Sequence, residues 1–268
     1  MFRHTGTWIM IKMKNIYSAK LLRSGLLIVC AAFSLSACAS ASSDEHAGIS
    51  DPFESVNRGI FAVNDALDQA IAEPVARGYR AAVPKPARKG FHNFLTNLRS
   101  PIYLANELLQ ADFSGAGRVL LRATVNTLVG VGGLFDVAGA EGIEAEAEDF
   151  GQTLAVWGAG PGPYLVLPIF GPSSVRDGIG RLADSYADPI RLYLFNTDQE
   201  EWYYARVGAQ ALDTRTDLID VLEDLRKNSI DYYAAVRSTY YQRREALIQD
   251  EDPDSMNGPS IPDYDEMD

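Results

Sequence analysis

One short segment decides most of what this chain can become: Leu26-Leu27-Ile28-Val29-Cys30-Ala31-Ala32-Phe33, running on to Leu35-Ser36-Ala37-Cys38. Five basic residues (Arg3, Lys12, Lys14, Lys20, Arg23) precede or flank it, and residues 1–37 contain no acid. The apolar stretch is too short to span a bilayer and ends in small residues, so it reads as a bacterial export signal. Leu35-Ser36-Ala37-Cys38 has the form of a lipobox, after which lipoprotein signal peptidase cuts and the cysteine is acylated. Cys38 is therefore the expected lipidation site, bearing the chain's one expected prosthetic group, a covalent lipid. Three acyl chains, at roughly 0.8 kcal/mol per buried methylene, anchor a protein far more firmly than a single chain does. Cys30 falls in the discarded part, so the processed chain keeps one cysteine and can form no internal disulfide. Position 39 is Ala; Asp there would mark inner-membrane retention in Gram-negative lipoproteins, so the expected address is the periplasmic leaflet of the outer membrane.

The pattern predicts four segments: a signal peptide over 1–37, a flexible tether over 38–50, a helical domain over 51–248 and a disordered acidic tail over 249–268. The tether is small and polar. From Asp250 onward the chain has eight acids, no base and three prolines, a composition that cannot bury a core. The whole chain has a net charge of −12, and removal of the basic signal makes the processed form more acidic still. That balance argues against a nucleic-acid partner.

Within the body, apolar residues recur at helical spacing: Phe53, Val56, Ile60, Phe61, Val63 and Leu67, then Phe91, Phe94, Leu95, Leu98, Ile102, Leu104 and Leu108. Asp51-Pro52-Phe53-Glu54 predicts a helix start with Asp51 as N-cap and Glu54 closing a capping box. Pro74 is expected to interrupt the first run and Pro101 to kink the second. Residues 119–135 are the most apolar part of the body, but Arg122 and Asn126 lie within it and Gly130, Gly132 and Gly133 end it, which makes it a poor lone transmembrane span. From Trp157 to Pro172, glycines and prolines predict an irregular belt with a short strand at Leu165–Leu167. Ser174 with Asp177 predicts a capped helix running towards Tyr186. Further helical runs are expected at Glu200–Leu212, at Leu218, Leu222 and Leu225, and at Ile230, Tyr233, Val236 and Tyr240. No strand–helix alternation is present, so the expected class is mostly α, with irregular Gly/Pro-rich segments.

The chemistry available is narrow. Only His46 and His92 survive processing, and no paired histidine or cysteine supplies metal ligands, so no metal site is expected. No Gly-x-Ser-x-Gly elbow occurs, and no Gly-Lys-Ser/Thr follows the glycine cluster; no catalytic residue and no cofactor beyond the lipid are expected. The cluster Gly130-Val131-Gly132-Gly133 reads as either a tight turn or a moving hinge. The acids Glu144, Glu146, Glu148 and Asp149 read as a solvated loop. Arg77, Arg80, Lys85, Arg88, Lys89 and Arg99, with no acid among them, suit either phosphate headgroups or acids elsewhere in the fold.

Several ordered motifs resemble the MlaA/VacJ family of outer-membrane lipoproteins. They are Asp51-Pro52-Phe53-Glu54-Ser55-Val56-Asn57-Arg58, Val83-Pro84-Lys85-Pro86-Ala87-Arg88, Asn93-Phe94 with Asn97-Leu98, and the run Asn126 to Gly139. Glu148 to Leu154, Gly160 to Tyr164, Leu167-Pro168 and Gly171 to Asp177 follow in the same order. The resemblance implies a ring-shaped, membrane-embedded helical lipoprotein with a central amphipathic channel. Such a protein removes mislocalised phospholipid from the outer leaflet and passes it to a periplasmic lipid-carrier protein, in association with a trimeric outer-membrane porin and without covalent chemistry. It also implies a channel gate or hinge at Gly130, Gly132 and Gly133, with Arg122, Asn126, Phe135 and Asp136 as candidate channel or headgroup contacts. The alternative is a structural porin-associated lipoprotein without transport activity.

Overall fold

The computed structural model describes residues 51–144 and 147–250. The expected signal peptide, Cys38, the tether and all of the acidic tail beyond Gln249 and Asp250 lie outside the described residues. What is described is mostly helical, as the periodicity predicts: α1 (Glu54–Leu67), a π-helical turn (Asp68–Ala72), α2 (Glu73–Ala82), α3 (Lys85–Asn97), α4 (Ser100–Gln110), α5 (Phe113–Leu128), α6 (Val137–Ala140) and α7 (Phe150–Val156). A hairpin of β1 (Tyr164–Leu167) and β2 (Gly171–Ser174) follows, then α8 (Val175–Ala187), α9 (Pro189–Asn196), α10 (Glu200–Asp217), α11 (Ile219–Asn228) and α12 (Tyr232–Ile248). The hairpin is antiparallel, with Tyr164 opposite Ser174 and Leu167 opposite Gly171.

Local signals fared unevenly. Ser174 caps α8, its hydroxyl accepting from the Asp177 N–H at 3.1 Å, as expected. Asp51 does not cap α1. Its carboxylate accepts instead from Asn57 Nδ2 at 2.8 Å and Arg237 at 2.8 Å, and from the Tyr233 hydroxyl, so long-range partners outcompete the local turn. Pro74 does not stop the first run, because the π-helical turn ahead of it absorbs the missing donor and lets the helix go on as α2. Pro101 does more than kink: α3 ends at Asn97 and α4 starts afresh at Ser100, with Pro101 in its first turn, where a proline costs nothing. Helix α9, opened by Asp188 capping the Ile190 N–H at 2.9 Å, was not expected from sequence.

The hairpin is held by α1 through two asparagines two turns apart. Asn57 donates to Tyr164 O (3.0 Å) and accepts from Val166 N (3.0 Å); Asn64 donates to Leu167 O (2.9 Å) and accepts from Ile169 N (2.9 Å). Each side-chain amide thereby substitutes for one residue of a neighbouring strand, which is how a two-stranded ribbon avoids a bare edge. The small apolar core lies beneath it: Tyr164, Val166 and Tyr233, flanked by Ile60, Phe61, Tyr240 and Tyr241.

Burial is inverted relative to a protein designed for water. Among the described residues, fourteen polar or charged side chains are buried against twelve apolar ones, four of the latter being alanines on helices. Val56, Val63, Leu67, Ile71 and Val75 form an exposed apolar stripe along α1, the π turn and α2. Ion pairs tie those same helices to the later ones: Arg215 to Asp68 (2.5 Å), Arg226 to Asp65 (2.6 Å) and Arg58 to Asp231 (2.6 Å). Arg244 makes a two-pronged contact with Asp149, both distances 2.6 Å, joining α12 to the start of α7. The acidic loop expected to be solvated is so only in part: Glu144 is exposed, Glu146 lies outside the described residues, and the other two acids are engaged in the fold. Asp149 caps α7, and Glu148 is 3% exposed, accepting from Gln110 on α4.

Candidate functional site: the glycine turn and its polar clamp

Helix α5 starts with Asp112 capping the Ser114 and Gly115 N–H groups and ends where its apolar run meets the glycines. The chain then folds back on itself. Gly133 N donates to Asn126 O at 2.7 Å, Gly132 N to Thr127 O at 3.0 Å, and Phe135 N to Gly130 O at 2.9 Å. This turn needs glycine for two reasons. A Cβ at position 130 would sit 2.1 Å from Phe135 O and 2.6 Å from Asn126 O, both backbone atoms that cannot yield. Gly132 has φ +72°, which L-residues reach only at a cost, although the space around it is open. Val131 between them adopts φ 56° despite its branched Cβ, so the turn holds strain of roughly 1–2 kcal/mol.

Beneath the turn lies a polar clamp centred on Asp136. Its carboxylate accepts from Arg122 (2.7 Å), Asn126 (2.8 Å) and the Gly139 N–H (2.9 Å), while Asn126 Oδ1 accepts from Ala138 N at 2.9 Å. Arg122 also donates to Ile143 O. Burial alone would raise the Asp136 carboxyl, but the donors from Gly139, Asn126 and Arg122 together hold it below the usual aspartate value. The Asp136 carboxylate is thus ionised at neutral pH. On the outer side of the turn, Leu128 (78% exposed), Val129, Val131 and Phe135 (63%) stand clear of the protein.

The structure brings the sequence-derived turn and contact residues together, while Cys38 lies outside the described residues: Gly130, Gly132 and Gly133 form the turn, Arg122, Asn126 and Asp136 the clamp, and Phe135 the apolar rim. In this arrangement Arg122 and Asn126 are engaged by Asp136. Sequence reading gave no role to the platform on α3. Asn97 donates to Thr127 Oγ1 (2.9 Å) and Gly132 O (3.4 Å), and Asn93 to Leu134 O (3.5 Å). The signal available was the i, i+4 spacing of Asn93 and Asn97, which puts two short amides on one helix face.

The basic stretch resolves in part towards acids in the fold. Arg77 pairs with Glu73 and Glu223, and Arg80 with Asp220 at 2.6 Å; Arg77, Arg80, Ala81 and Asp220 line a cavity of about 410 Å³. Arg99 lies over the Tyr103 ring at 5.4 Å.

Comparison with known proteins places this architecture. The family model described as MlaA lipoprotein matches residues 49–247. This chain belongs to the MlaA lipoprotein family. Two MlaA relatives are named as intermembrane phospholipid transport system lipoproteins. That of Escherichia coli K12 is 36% identical over 214 residues, covering 78% of this chain and 82% of the relative. That of Haemophilus influenzae is 31% identical, covering 75% and 80%. An uncharacterised protein of Rickettsia bellii is 36% identical over 199 residues, covering 74% and 77%. A solved structure, from work on the structural basis for maintenance of bacterial outer membrane lipid asymmetry, superposes with a TM-score of 0.66 at 37% identity. It covers 74% of this chain and 99% of that one. The mostly helical fold is thus that of an MlaA protein, and the named MlaA relatives are lipoproteins of a phospholipid transport system.

Proposed function

We propose that this chain is an outer-membrane lipoprotein that withdraws phospholipid stranded in the outer leaflet and passes it to a periplasmic carrier protein, preserving lipid asymmetry. Family membership supports the pathway, and the inverted burial is the observation that carries the reading. No described helix is long and apolar enough to cross a membrane, yet large apolar side chains on α1, α2, α5, the glycine turn, the hairpin tip and α8–α10 face outward. In water such a surface is a liability; in the acyl region of one leaflet it is a solvated face, while many of the polar side chains pair with one another inside.

In this reading the domain over 51–248 is a ring seated in the periplasmic leaflet around an amphipathic channel, Cys38 is its lipid anchor, 38–50 its tether and 249–268 an acidic tail. A trimeric porin is its membrane neighbour. Gly130, Gly132 and Gly133 act as the channel's hinge, and Arg122, Asn126, Asp136 and Phe135 line or brace it. No covalent step is asked of the protein. Only binding and release of lipid are required, so the residues needed are an apolar wall for tails and re-formable polar contacts for heads.

The test is outer-leaflet phospholipid in cells lacking the protein, complemented with the native chain or the Gly132→Val variant at matched abundance. Accumulation on deletion, cleared by the native chain and not by the variant, is the expected result. Equal clearance by the variant removes the hinge but leaves transport. No change on deletion overturns transport and leaves a porin-associated scaffold.

A further inference from the structure

Helix α3, whose Asn93 and Asn97 support the glycine turn, meets α10 at a second cluster that transport does not use. His92 Nδ1 lies 2.8 Å from Asp213 Oδ2 and 3.6 Å from Asp217 Oδ2, and one ligand atom from each of the three lies within 4.8 Å of the others. Asp213 is buried while His92 and Asp217 are open to solvent, so the cluster has a fixed floor and an accessible mouth. The two carboxylates are i, i+4 on one helix face, where like charges repel, and both converge on the His92 imidazole.

From this juxtaposition we propose that His92, Asp213 and Asp217 form a binding site for a first-row divalent cation of the zinc–manganese class, clamping α3 to α10. One imidazole and two carboxylates are a ligand set such ions accept, with water completing the shell. At metal–ligand distances of about 2.0–2.2 Å, neighbouring ligand atoms around a tetrahedral ion sit roughly 3.3–3.6 Å apart; the 2.8 Å separation falls short of this by about half an ångström and the 3.6 Å one meets it. Opening the first by about half an ångström and rotating the exposed Asp217 side chain suffices. The sequence hid this site because its acids lie 121 and 125 residues beyond its lone histidine.

The inference does not rest on the transport reading, and its readout is metal affinity. The full chain, purified in detergent and stripped with chelator, is titrated with Zn²⁺ by calorimetry. The expected result is one saturable equivalent in the native chain, with affinity at least tenfold weaker in Asp217→Asn and in His92→Gln. Asp217 is exposed, so that variant keeps its fold, as its circular dichroism checks. Cobalt added to the native chain should give visible d–d bands that His92→Gln lacks. Absence of saturable Zn²⁺ binding overturns the site, and so does binding of unchanged affinity in both variants, which would locate the ion elsewhere on the chain.

Discussion

Glu148 offers the sharpest physical test of the inverted interior. Burial pushes its carboxyl up to about 7, with the Glu107, Asp250 and Asp149 carboxylates adding to the effect and the hydrogen bond from Gln110 opposing it. A carboxyl that titrates near 7 when folded and near 4.5 when unfolded holds its proton more tightly in the native state. Its penalty is absent below about pH 4.5, grows as pH rises through the interval and is complete above about pH 7. A shift of this size corresponds to a penalty on the order of 3 kcal/mol at pH 8, with most of the change falling between pH 5 and 8. Asp184, raised chiefly by burial, acts in the same direction. Asp136 and Asp177 do not interfere, because both are held below the usual value and their contribution is already complete by pH 5. In Glu148→Gln the amide oxygen still accepts from Gln110 and no charge remains to be buried. Thermal unfolding followed by circular dichroism in detergent should show the native chain losing stability from pH 5 to 8, and the variant losing markedly less. At pH 8 the variant should melt roughly 6–12 °C higher, taking about 2–4 °C per kcal/mol for a domain of this size. Parallel pH profiles for the two chains would refute the assignment of a buried, reluctantly ionised carboxylate to this position.

Two further outcomes follow from named contacts. Asn57→Ala should cost at least about 3 kcal/mol, because the 2%-exposed amide leaves Tyr164 O, Val166 N and Asp51 each short of a partner; a denaturation midpoint within error of the native value would contradict the strand-mimic role. Asp136→Asn keeps the cap on α6 but removes the ion pair to Arg122, so amide exchange over residues 130–139 should speed up by an amount equivalent to about 1–2 kcal/mol. Because the Asp136 carboxyl is held low, the native clamp persists above about pH 4 and weakens as pH falls through its folded value. The variant's exchange profile should show no such step.

Helical periodicity was enough to predict a mostly α chain, and ordered motifs were enough to find its family. Ser174 and Gly130 were legible because their reasons are local: a cap three residues long, and a turn whose backbone atoms crowd within six positions of each other. Pro101 was legible as a disturbance but not as a complete break, because where a helix restarts depends on what the second helix packs against.

Asp51 and Glu148 show where sequence reasoning stops. Asp51 stands in a sound capping pattern, yet Tyr233 and Arg237, 182 and 186 residues away, take its carboxylate. Glu148 sits among acids that look solvated, yet α4 covers it. Neither outcome is encoded in neighbouring residues, since partner choice among charged groups is settled by which helices come together, and burial by what lies above. The same holds for His92 with Asp213 and Asp217. The sequence by itself determined the class, the family and the location of the turn. Only the tertiary structure decided which polar groups are buried together and which apolar faces are left exposed, because those depend on contacts between distant segments that local periodicity cannot specify.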